Sequence, residues 1–166
     1  VEFEVRSPQD CEGMFDVLTY QKGGSLLRML EQYLGAERFR KGIRLYLNTH
    51  SYGNTETSDL WDAIETAVSN DGGEPVRELM DSWIWQPGYP LILASLDETK
   101  MKLVLQQQRF SFTPESLDDP QNWLVPIHIR VNGIESKYLL SDQALEIPVG
   151  NDNATIVVNA SGYGYY

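Results

Sequence analysis

Few side chains in these 166 residues have the types and spacing for chemistry. There are two histidines, His50 and His128, and one cysteine, Cys11, with no H-E-x-x-H, C-x-x-C or G-x-S-x-G pattern around them. His128 falls on the polar side of an alternating run and reads as an outward-facing strand residue. His50 ends a helical segment, where an imidazole helps to satisfy terminal carbonyls. Cys11 stands between Asp10 and Glu12, and negative neighbours raise a thiol pKa, which argues against a nucleophile. Asp118 and Asp119 with Glu115 lack the spacing of a calcium loop and read as a solvated turn. Asn153 and Asn159 head two N-x-S/T sequons, a short pattern that recurs by chance. Taken by themselves, these residues make no self-contained active site.

Composition narrows the partners. The formal charge is −11, and both halves share it: 8 basic and 15 acidic residues up to Pro87, then 5 and 9 from Gly88. Neither half has the basic footprint of a nucleic-acid or anionic-membrane binder, so no nucleic acid and no membrane are expected as partners. No stretch approaches the roughly 18 to 20 apolar residues of a membrane span. A lone cysteine excludes an internal disulfide, and the expected location is cytoplasmic. With 42% apolar and 11% aromatic residues the chain has the makings of a packed core. It opens on Val1 and closes on Gly164-Tyr165-Tyr166 within sequence that reads as structured, which suggests a piece of something longer.

The elements follow from periodicity. Val1, Phe3 and Val5 alternate with polar residues as a short strand would. From about Tyr20, Leu26, Leu27, Leu30, Tyr33 and Leu34 recur at helical spacing, and Gly35 follows where a helix C-cap takes positive φ. A second helix over Ala36 to Thr49 places Phe39, Ile43, Tyr46 and Leu47 on one side. Thr57 or Ser58 suits the N-cap of a third, with Leu60, Trp61, Ile64, Ala67 and Val68 inward. After a break at Asn70 to Gly73, Pro75 suits the first turn of a fourth, carrying Val76, Leu79, Met80 and Trp83. Two prolines and a glycine within Gln86 to Pro90 end the helical pattern, and later segments read as strands. These are Leu91–Leu96, a run from Met101, Val125–Val131, Ile134–Leu140, Ala144–Val149 and Thr155–Val158. Asn132-Gly133 is a type I′ hairpin signal, and Pro126 marks an edge strand or a bulge. The expected fold is α+β in two units: helices over residues 1–87, then a small antiparallel β-sandwich over 88–166.

The segment Tyr20-Gln21-Lys22-Gly23-Gly24, followed by Leu26-Leu27-Arg28-Met29-Leu30 and Leu34-Gly35, resembles the aminopeptidase N family of zinc metallopeptidases, in which a Y-x-K-G signature opens a helix after the zinc-binding part of the catalytic domain. The likeness continues through Phe39-Arg40-Lys41-Gly42, Tyr52-Gly53-Asn54, Asp59-Leu60-Trp61 and the W-I-W-Q-P-G-Y-P run from Trp83 to Pro90. Further on, Gln108-Arg109-Phe110, Trp123 to Ile129 and Gly164-Tyr165-Tyr166 are similar to the β-sandwich that follows. The resemblance implies that 1–87 is the C-terminal helical part of a thermolysin-like catalytic domain.

One catalytic residue is implied by the match: Tyr20, whose hydroxyl would donate to the oxyanion formed when zinc-bound water attacks the scissile carbonyl. A phenol holds its proton at neutral pH and so suits that task. The structural alternative makes Tyr20 a buried ring with its hydroxyl on a backbone carbonyl. Lys22 reads as a solvated or ion-paired residue, and Tyr33, Tyr46, Trp61 and Trp83 as packing. The family's H-E-x-x-H, its further glutamate ligand and its G-x-M-E-N segment are not in this sequence. Zinc is therefore expected in the intact enzyme and not on this fragment, which is expected to be inactive alone and to self-associate through an exposed helical face. The substrates implied are peptides that lose their N-terminal residue. The alternative is a non-catalytic member of the same fold, serving as a binding or scaffold module.

Overall fold

The computed structural model describes residues 1–2, 5–69, 72–97, 99, 101–113, 121–150 and 153–166. The turn reading of Glu115, Asp118 and Asp119 lies outside the described residues, as does Phe3.

Four helices come first: α1 (Gly23–Leu34), α2 (Ala36–Thr49), α3 (Thr57–Val68) and α4 (Val76–Ile84). Gly35, at φ +89°, separates α1 from α2 as its conformational freedom allows. The third helix begins one residue earlier than its threonine and serine suggest. Its N-cap is Glu56, whose N–H donates to Asp59 Oδ2 at 2.8 Å, so the anion of the first turn reaches back to the cap. Val1, Glu2 and Val5 form no strand, because the nitrogen atoms of Val1 and Glu2 both point to the Ile84 carbonyl at the end of α4 (2.7 and 3.4 Å).

Burial picks out α1, α3 and α4 as the core. Leu26, Met29, Leu30 and Leu34 meet Trp61, Ile64, Val68, Leu79, Met80 and Trp83. Helix α2 rides outside them, and its expected inner residue Leu47 is exposed. Its closest approach is at Gly42, where a Cβ would stand 2.7 Å from the Ile64 Cα. The missing side chain lets two helix backbones touch.

Six strands follow: β1 (Pro90–Asp97), β2 (Lys102–Arg109), β3 (Val125–Val131), β4 (Ile134–Leu140), β5 (Leu145–Pro148) and β6 (Ile156–Val158). They form two antiparallel three-stranded sheets, ordered β1-β2-β5 and β4-β3-β6. The β3–β4 hairpin turns at Asn132-Gly133, both at positive φ (50° and 83°). Pro126 sits in a continuous register opposite Leu139, and β6 covers only Ile129 to Val131. The half of β3 with Pro126 thus has one strand neighbour, which a residue without an N–H tolerates. Buried residues of both sheets, among them Leu103, Leu105, Ile127 and Ile147, join the helical core as one cluster. The architecture is α+β.

Candidate functional site

Tyr20 lies in the opening turn of the helix that continues as α1. Asp16 Oδ1 accepts the Thr19 N–H at 2.7 Å, and the Asp16 carbonyl accepts that of Tyr20 at 3.1 Å. Asp16 thereby caps donors that a helix start leaves without partners, and the Thr19 N–H on its carboxylate holds that carboxyl below the ordinary aspartate range. From Leu18 to Lys22 the turn is π-helical: the Gly23 N–H reaches the Leu18 carbonyl five residues back. Single widened turns of this kind recur at functional sites.

The Tyr20 ring is 63% exposed and lies 6.3 Å from that of Phe15, itself 74% exposed. The buried alternative is therefore not what the chain adopts. Its hydroxyl makes no hydrogen bond among the described residues, so it is available to donate. Val17 and Leu18 are exposed beside it, giving an apolar stretch at the helix start.

Lys22 behaves oppositely. It is buried, 7% exposed, and its Nζ donates to the Gly88 carbonyl at 2.8 Å, across 66 residues of chain. Burial pushes its ammonium below the ordinary lysine range. The expectation of a solvated or ion-paired lysine is corrected here. A signal was present: Lys22 stands four, seven and eight residues before Leu26, Met29 and Leu30, on the buried face of the helix.

Beside this turn opens a cavity of about 400 Å³. Leu26, Leu60, Trp61, Met80 and Ile84 make it apolar, while Thr19 and Gly23, which flank Tyr20, stand with Tyr46, Thr55 and Thr57 among its walls. The Tyr46 and Thr55 hydroxyls are hydrogen-bonded at 2.7 Å. The Trp61 indole N–H is buried without a partner among the described residues.

The other candidates are not gathered around Tyr20. Cys11 is exposed in a 3-10 turn, Pro8–Met14. The His50 N–H donates to the Tyr46 carbonyl at 3.1 Å, closing α2, and its ring leans on that of Tyr46 at 5.5 Å. The Asn159 side chain clamps the backbone of Gly164, accepting its N–H at 2.8 Å and donating to its carbonyl at 3.2 Å. Among the described residues no three His, Cys, Asp or Glu side chains come together to hold a metal ion. The described residues therefore do not fit a zinc site of their own. Nor, among the described residues, is any helix long and apolar enough to cross a membrane.

His128 corrects an expectation. It is buried, 5% exposed, because Tyr163 covers that face of β3, ring to ring at 5.6 Å and edge-on. Its Nε2 has no hydrogen-bond partner among the described residues. Burial holds the imidazole below the ordinary histidine range, with Lys137 across the strand pair pushing the same way and Glu135 opposing. The folded state thus binds fewer protons than the unfolded one just below about pH 6.5, and stability falls as pH drops through that window to the folded pKa. Melting temperatures of the native chain and His128→Phe, followed from about pH 8 to 5, are expected to shift in favour of the variant at the acid end. A constant difference across that range would remove His128 as the cause.

A model of the peptidase family M1 domain matches residues 1–83. The chain is 39% identical over 166 residues to "Probable aminopeptidase 2" of Sulfurisphaera tokodaii, covering 100% of this chain and 20% of that protein. It is 35% identical over 168 residues to "Leucyl aminopeptidase" of Saccharolobus solfataricus, covering 100% of this chain and 20% of that protein. With "Tricorn protease-interacting factor F2" of Thermoplasma acidophilum it shares 37% over 163 residues, covering 98% and 19%. The chain thus spans about a fifth of the length of these relatives. The family match takes in all four helices to Trp83, including the turn with Tyr20 and Lys22, and on that ground the chain belongs to peptidase family M1.

Proposed function

We propose that this chain is a fragment of a zinc-dependent aminopeptidase that removes N-terminal residues from peptides. In this reading residues 1–87 are the C-terminal helical part of a thermolysin-like catalytic domain. Residues 88–166 are a β-sandwich that braces it. Membership of family M1 and relatives bearing the name aminopeptidase support the reaction class. Tyr20 is the group this chain contributes to the chemistry. When water adds to the scissile carbonyl, the Tyr20 hydroxyl donates a hydrogen bond to the oxyanion and keeps its own proton. The observation that carries this is the exposed, unbonded Tyr20 hydroxyl on a helix turn fixed by Asp16 on one side and by buried Lys22 on the other. The zinc and its ligands belong to the rest of the protein, and the fragment alone is inactive. Its exposed Phe15, Val17 and Leu18 give it a face for self-association. The acidic charge and lone cysteine support a cytoplasmic protein.

The full-length protein is expected to release the N-terminal residue from an unblocked peptide and to leave the same peptide with an acetylated N-terminus intact. The 166-residue chain by itself is expected to release none. If the full-length protein turns over neither peptide, the fold serves as a binding module and the reading fails.

A further inference from the structure

We propose that Lys22 is a positioning residue for the Tyr20 hydroxyl, acting through its bond to the Gly88 carbonyl, an inference that rests on the oxyanion role given to Tyr20 above. The two residues share the π-helical turn, Leu18–Lys22, and leave it differently: Tyr20 is exposed and Lys22 buried. The Lys22 Nζ ends 2.8 Å from the Gly88 carbonyl. Gly88 belongs to the segment between α4 and β1 and holds φ at +85°, a conformation that costs little only for glycine. A Cβ there would also meet the Arg109 guanidinium at 3.4 Å. The carbonyl is therefore presented from a shaped turn, and it ties the opening of α1 to the start of the strands.

Stability gives this lysine little reason to exist. A buried ammonium loses its hydration, and one carbonyl oxygen restores only part of it. Burial holds its pKa below the ordinary lysine range, and among the described residues no carboxylate forms a salt bridge with it. An apolar side chain of the same length would fill the space at lower cost. What methionine cannot do is fix the azimuth of a widened turn. A π-turn has weaker intrinsic definition than an α-turn, and Tyr20, exposed with a ring contact to Phe15 alone, has no tertiary packing to place it. The Lys22–Gly88 bond supplies that placement, and the placement matters because small misalignments of a catalytic donor cost rate steeply.

The test is a double-mutant cycle in the full-length enzyme, with kcat, KM and melting temperature measured for Lys22→Met, Tyr20→Phe and the pair. Lys22→Met is expected to lower kcat about 10- to 100-fold with KM little changed and the melting temperature kept or raised. In the Tyr20→Phe background the same substitution is expected to cost less than about twofold, since no hydroxyl remains to be placed. Should Lys22→Met not fold, Lys22→Gln, which keeps a neutral donor, is read by the same cycle. Equal losses in both backgrounds, or no loss in either, overturn the positioning role and leave Tyr20 standing. If Tyr20→Phe itself retains full kcat, the oxyanion reading falls first and the role of Lys22 with it.

Discussion

On the oxyanion role proposed for Tyr20, its replacement by phenylalanine in the full-length protein is expected to lower kcat by about 10²- to 10³-fold, the usual effect of removing one such donor. KM on an amino-acid amide should change little, because the lost hydrogen bond forms only as charge develops on the carbonyl oxygen. The substitution is clean. It deletes one oxygen from a ring that is 63% exposed and keeps the contact with Phe15 at 6.3 Å. The fold should therefore be untouched, and the melting temperature and zinc content of the protein should match the native enzyme. Activity within about threefold of native would make Tyr20 a surface aromatic with no part in the reaction.

The parts of this fold that could be read from the sequence are those where one local rule acts without competition. Helix α2 has the bounds its pattern implies, Ala36–Thr49, because Gly35 stops one helix and starts the next. The β3–β4 hairpin registers where Asn132-Gly133 demands it. What escaped is set by tertiary surroundings. Lys22 and His128 carry polar side chains, so they read as solvated; both are buried, one because it lies on the core face of a helix and one because Tyr163 covers its strand. The π-turn at Leu18–Lys22 was equally hidden, since a period of 3.6 does not register one residue of extra winding. The apolar run Leu91–Leu96 reads as a strand, and it is one, but Leu91, Leu93 and Leu96 are exposed along β1, the edge of its sheet. In the candidate site, Tyr20 was visible only through the motif around it. A lone tyrosine at a helix start has no spacing that announces a donor. The cavity beside it, with walls from all four helices α1 to α4, has no local signature at all.

The largest expected effect on stability comes from Trp83→Ala, at about 3 to 5 kcal/mol. Trp83 is the last residue of the family match and sits fully buried at the meeting of helices and strands. Its indole N–H donates to the Leu124 carbonyl at 2.8 Å. Its ring lies 6.2 Å from those of both Trp123 and Tyr165, the second edge-on. From the preceding residue, Ser82 Oγ accepts the Leu124 N–H at 3.1 Å, so the strand entering β3 is held to α4 by two successive side chains. Truncation to alanine opens a cavity, strips two aromatic contacts and takes the donor from the part-buried Leu124 carbonyl. Against a total of about 5 to 15 kcal/mol for a domain this is a large share. Because one continuous core runs through helices and strands, the loss should not be confined to either side. In dilute samples of the 166-residue chain, urea unfolding followed by far-ultraviolet circular dichroism and by tyrosine absorbance is expected to shift to lower denaturant with both signals together. Trp83→Phe, which keeps most of the ring and loses the N–H, should lie between native and alanine. If instead the tyrosine signal, to which both the helical part (Tyr20, Tyr33, Tyr46 and Tyr52) and the strands with their C-terminal end (Tyr89, Tyr138, Tyr163, Tyr165 and Tyr166) contribute, and the helical signal move apart, the helices and strands are energetically separate and Trp83 is a contact between them, not the link that makes them one unit.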